Sequence, residues 1–176
     1  MSSNTISRLR AAVRDIPDFP KPGILFKDIT PILADRVLFR EAIDLFAEAC
    51  ADLRVDKIVG IDARGFLFGA ATAYKLGTGF IPMRKKGKLP YQTAGMSYAL
   101  EYGEAEMEMH VDAILPGERI VLVDDLLATG GTAAAAIKLI QSMGGELLSS
   151  LFLIELEFLE GRKALQSEKV TSFITY

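Results

Sequence analysis

The 176-residue chain is predicted to be an α/β protein, a doubly wound, mainly parallel sheet of about five strands flanked by helices. Three observations predict this. Short runs such as "KIVGI" from Lys57, "GFIPM" from Gly79, "ERIVLV" from Glu118 and "LLSSLFLIEL" from Leu147 are too apolar to have a wet face. Helical stretches separate them, as parallel βαβ units require. Half of the residues, 50%, are hydrophobic, enough for a substantial core in a single domain.

Taken in order, the chain opens with an N-terminal extension and hood over about residues 1–34, followed by the α/β core over 35–176. Four of the seven prolines lie between Pro17 and Pro31, and proline fixes φ and removes a donor, so Ile16 to Leu33 is expected to be extended and turning. From Asp35, a candidate N-cap, to Leu53, the residues Ile43, Phe46, Cys50 and Leu53 recur at helical spacing, which makes Cys50 a core residue. "KIVGI" is a buried strand, "GFLFGAATAYKLG" a helix ending at Gly77, and "GFIPM" the next strand. The stretch 84–112 breaks the rhythm as a flexible arm. "RKKGKLPYQTAG" is basic and polar, a surface loop, whereas Ala105, Met107, Met109 and Val111 alternate with Glu104, Glu106, Glu108 and His110 like a half-buried strand, leaving "EYGE" at a tip. "ERIVLV" is a strand, "TAAAAIKLIQSMGG" a helix capped at Gly144 or Gly145, "LLSSLFLIEL" a strand and "VTSFITY" one more.

Composition narrows the function classes. A net charge of −3 without a Lys/Arg block argues against a nonspecific nucleic-acid surface. With Cys50 as the single cysteine, an intrachain disulfide and a multi-cysteine zinc site are excluded, which suits a reducing compartment. The N-terminus lacks a signal-peptide pattern and no run of 18 apolar residues occurs, so the expected setting is the cytoplasm, away from membranes.

The candidate chemistry sits in "IVLVDDLLATGGT", Ile120 to Thr132. A buried strand is expected to end in the paired carboxylates Asp124 and Asp125, at the carboxyl edge of the sheet where ligands of open α/β folds bind. Gly130 and Gly131 let the backbone curl with its N–H groups inward, Thr129 and Thr132 add hydroxyls, and the helix that begins near Ala133 adds the positive end of its dipole. This is a phosphate cradle. No Lys follows the glycines, as a nucleoside-triphosphate P-loop requires. Two carboxylates repel a phosphate, but they accept hydrogen bonds from ribose hydroxyls and can anchor a magnesium ion.

The motif "VLVDDLLATGGT" resembles the phosphoribosyl-diphosphate-binding motif of the type I phosphoribosyltransferases. "PDFPKPGILFKDITPIL", "ARGFLFG", "RKKGKLP" and "LEYG" occur in the same order as in the adenine phosphoribosyltransferase family and span most of the chain. The resemblance implies transfer of the phosphoribosyl group from phosphoribosyl diphosphate to adenine, giving AMP and diphosphate in purine salvage, with Mg2+ and in a homodimer. It places Ala128, Thr129, Gly130, Gly131 and Thr132 on the 5-phosphate and Asp124 and Asp125 on the ribose. Asp62, Ala63 and Arg64, with a cis bond between Asp62 and Ala63, would face the diphosphate, joined by Arg84, Lys85 and Lys88, in part across the dimer. Phe26 and Leu126 would sandwich adenine, and backbone groups near Leu25 and Lys27 would read its edge, Lys27 standing where many members carry Arg. Glu101 is the acid/base candidate, on a closing loop with Tyr102. Transfer to hypoxanthine, guanine, xanthine or orotate uses similar cradles, and a regulator that senses phosphoribosyl diphosphate without turnover is a reading from another class. The hood segment favours adenine, and the acidic charge and absent helix-turn-helix extension count against a regulator.

Overall fold

The computed structural model describes residues 3–99, 104–165 and 169–176. A helix not expected from the sequence, α1 (Ser3–Ala12), opens the chain and seats Leu9, fully buried, in the core. The proline-rich segment then forms an antiparallel pair, β1 (Arg14–Pro17) and β2 (Leu25–Asp28), with Ile16 opposite Phe26. The expected extended course to Leu33 is corrected by a short helix, α2 (Thr30–Ala34). Pro31 is compatible with it because a residue in the first helical turn has no intrahelical use for its N–H. The Asp28 carboxylate accepts from Thr30 N and Oγ1 at 2.9 and 2.8 Å. In α3 (Arg36–Ala49) the cap is as expected, since Asp35 Oδ1 accepts from Val37 N and Leu38 N at 2.8 and 3.0 Å. Cys50 is 2% exposed, and burial pushes its thiol up to about 11.

The apolar runs become β3 (Lys57–Ile61), α4 (Gly65–Leu76), β4 (Gly79–Lys85), β7 (Arg119–Leu127), α5 (Gly131–Ser142), β8 (Glu146–Glu155) and β9 (Val170–Thr175), with β5 (Thr93–Ala99) and β6 (Glu104–His110) between them. They build one seven-stranded sheet in the order β5-β6-β4-β3-β7-β8-β9. The five strands from β4 to β9 in that order are parallel, and β6 and β5 extend one edge antiparallel. Strand alternation divides the core between two faces. Val121 and Val123 face Phe46 of α3 and Phe68 of α4, whereas Ile120 and Leu122 face Ile137 and Ile140 of α5. Helices on both faces explain why these strands have no polar side.

Residues 84–95 are corrected from a surface loop to a shorter connection: Arg84 and Lys85 complete β4, and Thr93 to Gly95 begin β5. Met107 and Met109 of β6 are buried as the alternation predicts. Glu108, expected on the wet face, is 7% exposed because its carboxylate accepts from Gly87 N at 2.9 Å. Val111, expected inward, lies beyond the strand and is 45% exposed. The tip residues Glu101 and Tyr102 lie outside the described residues.

Candidate functional site

Strand β7 does not end at the aspartates as expected; it carries them and continues to Leu127. The reason lies in its partner, because β8 offers ladder positions opposite, Leu126 against Ile154 and Leu127 against Glu155. The chain then turns through 128–130, Gly130 adopting φ 81°. Helix α5 starts at Gly131, two residues before the expected Ala133, and Ala134 N bonds Gly130 O at 2.8 Å. The first amides of α5 have no intrahelical acceptor and point toward the loop's concavity, the arrangement that attracts an anion. Asp124 and residues 126–133 line a small cavity there, about 80 Å³.

A second and larger cavity, about 300 Å³, adjoins the first, with Asp124, Leu126 and Thr132 common to both. It gathers Asp62, Ala63 and Arg64, from the turn between β3 and α4, with Lys85 of β4 and Asp125 of β7. Parallel pairing of β3 with both β4 and β7 brings these three chain segments to one edge. The bond between Asp62 and Ala63 is cis. Gly65 permits close approach of the turn to β7, since a Cβ there would lie 2.8 Å from Val123 O and 2.9 Å from Asp124 Oδ1.

The electrostatics of the aspartate pair are those of a binding group. Asp125 is 4% exposed, and Arg64 Nε lies 2.9 Å from its Oδ2 in an ion pair whose alignment leaves that oxygen without a hydrogen bond. Asp124 Oδ1 accepts from Asp125 N at 2.9 Å. Burial, and then the neighbouring charge of Asp125, holds the Asp124 carboxyl well above the usual aspartate range. Burial also raises Asp125, against the opposing pull of Arg64. Two buried carboxyls, both raised above the usual aspartate range, are thus held at one cavity, an arrangement common at functional sites.

Other sequence-predicted residues are placed around this centre. The Arg64 guanidinium stands over the Phe26 ring at 5.1 Å, and Phe19 meets that ring edge-on at 5.1 Å, so the hood reaches the turn after β3 through Arg64. Leu25, 49% exposed, and Phe26 lie on β2 and do not line either cavity. Lys27 turns its side chain away, donating to Asp15 Oδ1 at 2.6 Å and resting 3.8 Å from the centre of the Tyr176 ring. Arg84 braces the turn rather than lining the cavity, with Nε on Asp62 Oδ2 at 3.1 Å and Nη1 on Lys88 O at 3.0 Å. Lys88 is exposed; its carbonyl accepts from Arg84 and its backbone N donates to Lys85 O at 3.3 Å. Sequence reasoning missed Met107 and Ile61 as cavity walls, and Gly65 and Gly161 as close-approach positions. The "ARG" after a buried strand hinted at the first glycine; nothing local pointed to the second.

Residues 29–173 match the family described as phosphoribosyl transferase domain. The chain is 56% identical over 168 residues to the adenine phosphoribosyltransferase of Anaeromyxobacter dehalogenans, covering 96% of this chain and 98% of that one. It superposes on the crystal structure of the adenine phosphoribosyltransferase of Rhodothermus marinus with a TM-score of 0.95 at 48% identity, covering 99% and 100% of the two chains. The Saccharomyces cerevisiae adenine phosphoribosyltransferase, solved with adenine and an imino-altritol bisphosphate, is similar at a TM-score of 0.93 and 41% identity, covering 98% and 99%.

Proposed function

The chain belongs to the adenine phosphoribosyltransferase family, and from that premise we propose how the residues around the two cavities perform its reaction. The reaction moves the 5-phosphoribosyl group of phosphoribosyl diphosphate onto adenine, giving AMP and diphosphate, a step of purine salvage. The amides and hydroxyls of Ala128 to Thr132 hold the 5-phosphate. Asp124 and Asp125 accept the ribose hydroxyls, and their place in the wall of the larger cavity supports this reading. The turn Asp62–Ala63–Arg64 and Lys85, with Arg84 and Lys88 behind them, hold the diphosphate. Charge grows on the diphosphate as its bond to the sugar breaks, and the positive charge of these residues is what would meet it; the place of Arg64 and Lys85 in the cavity wall supports this reading. Phe26 and Leu126 bound the adenine plane, with Leu25 and Lys27 presenting backbone groups. Glu101, on the loop with Tyr102, takes the proton that the purine imidazole nitrogen gives up as the new glycosidic bond forms.

Magnesium belongs to this reading as a companion of the substrate. Among the described residues no three His, Cys, Asp or Glu side chains form a metal cage. The chemistry of the Asp124 and Asp125 pair fits a magnesium ion that keeps most of its ligands from water and phosphate oxygens. When bound, it would neutralise diphosphate charge, and Asp124 or Asp125 would hold it to the protein. No helix among the described residues is long and apolar enough to cross a membrane, and the cytoplasm is the proposed setting. A homodimer is part of the proposal, supported by Leu67 and Tyr74, 44% and 91% exposed, seven residues apart on one face of α4.

The observation that carries the residue assignment is the convergence of the phosphate loop, the aspartates and the Asp62–Arg64 turn on adjoining cavities. Incubation with magnesium, phosphoribosyl diphosphate and each of adenine, hypoxanthine, guanine and xanthine tests the function. AMP from adenine is expected; absence of any nucleotide, or a clear preference for another purine, would overturn it.

A further inference from the structure

Behind the phosphate loop the chain makes a contact that none of these roles uses. Gly130 and Gly161 meet backbone to backbone. A Cβ at Gly161 would lie 2.2 Å from the Ala128 carbonyl oxygen, and one at Gly130 would lie 2.3 Å from the Gly161 carbonyl oxygen. Both obstacles are main chain, which cannot swing aside as the tip of a side chain does.

Gly161 begins a 3-10 turn, Gly161–Leu165, that is fastened at both ends. Arg162 lays its guanidinium on Glu155, with Nε 2.8 and 3.0 Å from the two carboxylate oxygens and Nη2 2.7 Å from Oε2. Its Nη1 donates to Val170 O of β9 at 3.0 Å. Glu155, 3% exposed, ends β8 directly opposite Leu127, the residue that precedes the phosphate loop. Leu156 N also bonds Leu127 O at 2.9 Å. At the far end Leu165, 2% exposed, is packed into the core on the α5 side of the sheet. The turn therefore cannot retreat from the loop without breaking the ion pair on buried Glu155 or emptying a core position.

We propose that Gly161, held by the Glu155–Arg162 clamp, forms the rear wall of the phosphate loop, and that Gly161 and Arg162 are positioning residues for the 5-phosphate. The inference rests on the reading of 128–132 as a phosphate cradle. A cradle works by aiming several amides at one point, and small displacements of positioned groups are costly to binding. Gly161 itself meets Ala128 and Leu127, at the end of β7 and the start of its loop. The turn Asp62–Arg64 belongs to a different chain segment, between β3 and α4, and is expected to keep its geometry when the wall is altered.

Calorimetric titration of wild-type, Gly161→Ala and Arg162→Lys proteins with ribose 5-phosphate, and separately with magnesium diphosphate, tests the wall. Gly161→Ala is expected to weaken ribose 5-phosphate by about tenfold or more and to raise KM for phosphoribosyl diphosphate alike, while diphosphate affinity and KM for adenine stay within about twofold. Arg162→Lys keeps the charge but loses the fork, and shifts ribose 5-phosphate in the same direction by a smaller factor, so the test survives if Gly161→Ala does not fold. Unchanged ribose 5-phosphate affinity, or equal weakening of both ligands, would overturn the proposal, the second showing general loosening. Wild-type protein that binds no ribose 5-phosphate would remove the cradle and the wall together. Wild-type protein that binds it yet forms no AMP would overturn the proposed function and leave the wall standing.

Discussion

Asp125→Asn keeps the size and shape of the side chain and removes its charge. In the folded protein this carboxylate is 4% exposed, has Arg64 Nε 2.9 Å from Oδ2, and leaves that oxygen free of hydrogen bonds. A ribose hydroxyl that donates to the Asp125 carboxylate from the cavity makes a hydrogen bond to a charged group, which contributes about 1.5 to 3 kcal/mol. At a factor of ten per 1.4 kcal/mol, the substitution should lower kcat/KM for phosphoribosyl diphosphate by about ten- to a hundredfold. Lys86→Ala is the control. The Lys86 side chain is 68% exposed, pairs with Glu106 at 2.6 Å and does not line the cavity, so its removal should change kcat/KM by less than about twofold. The assay is initial-rate AMP formation at saturating adenine and varied phosphoribosyl diphosphate. Equal losses in the two variants would refute the division between ribose carboxylate and solvated cation.

Asp124→Asn should raise Tm at neutral pH. The folded carboxyl lies above the ordinary 3.8, so charging it costs stability as pH rises through the raised value, and the variant's gain should fade toward 3.8 where both states are protonated. Melts across that range check this, and a pH-independent gain or a loss at pH 8 would contradict it. Glu101→Gln should lower the single-turnover rate by about a hundred- to ten-thousandfold with adenine affinity nearly unchanged, and a fall of less than about fivefold would transfer the role from the carboxyl to the loop backbone. The Cys50 thiol, 2% exposed and pushed up to about 11, should stay unreactive toward an aromatic disulfide until the protein unfolds, and rapid labelling under native conditions would show that the α3 core opens.

Much of this fold was legible because its strands are buried on both faces. Runs such as "KIVGI" and "LFLIE" admit few alternatives, and the Asp35 and Gly77 helix boundaries carry their own signals in side-chain oxygen and φ of 68°. What escaped depended on partners distant in sequence. β7 continues through Asp124 and Asp125 because β8 lies beside it, a fact absent from the local pattern. α2 forms in a proline-rich stretch because Pro31 falls in its first turn, where proline is harmless; one residue pattern served both the extended and the helical reading. At the site, "DDLLATGGT" and "DARG" disclosed the cavity walls through recognisable chemistry. Arg84 was legible as a cation but not as the brace of Asp62, and Gly161 was silent because its importance is a contact with Ala128 and Gly130 across the fold.

The most direct test of the account is a crystal structure of the protein with AMP, magnesium and diphosphate. The account predicts the AMP phosphate within hydrogen-bond distance of the amides of 128–132, the ribose hydroxyls on Asp124 and Asp125, and the diphosphate against Asp62, Ala63, Arg64 and Lys85. A nucleotide phosphate seated away from the 128–132 loop, or a diphosphate bound there in its place, would contradict it.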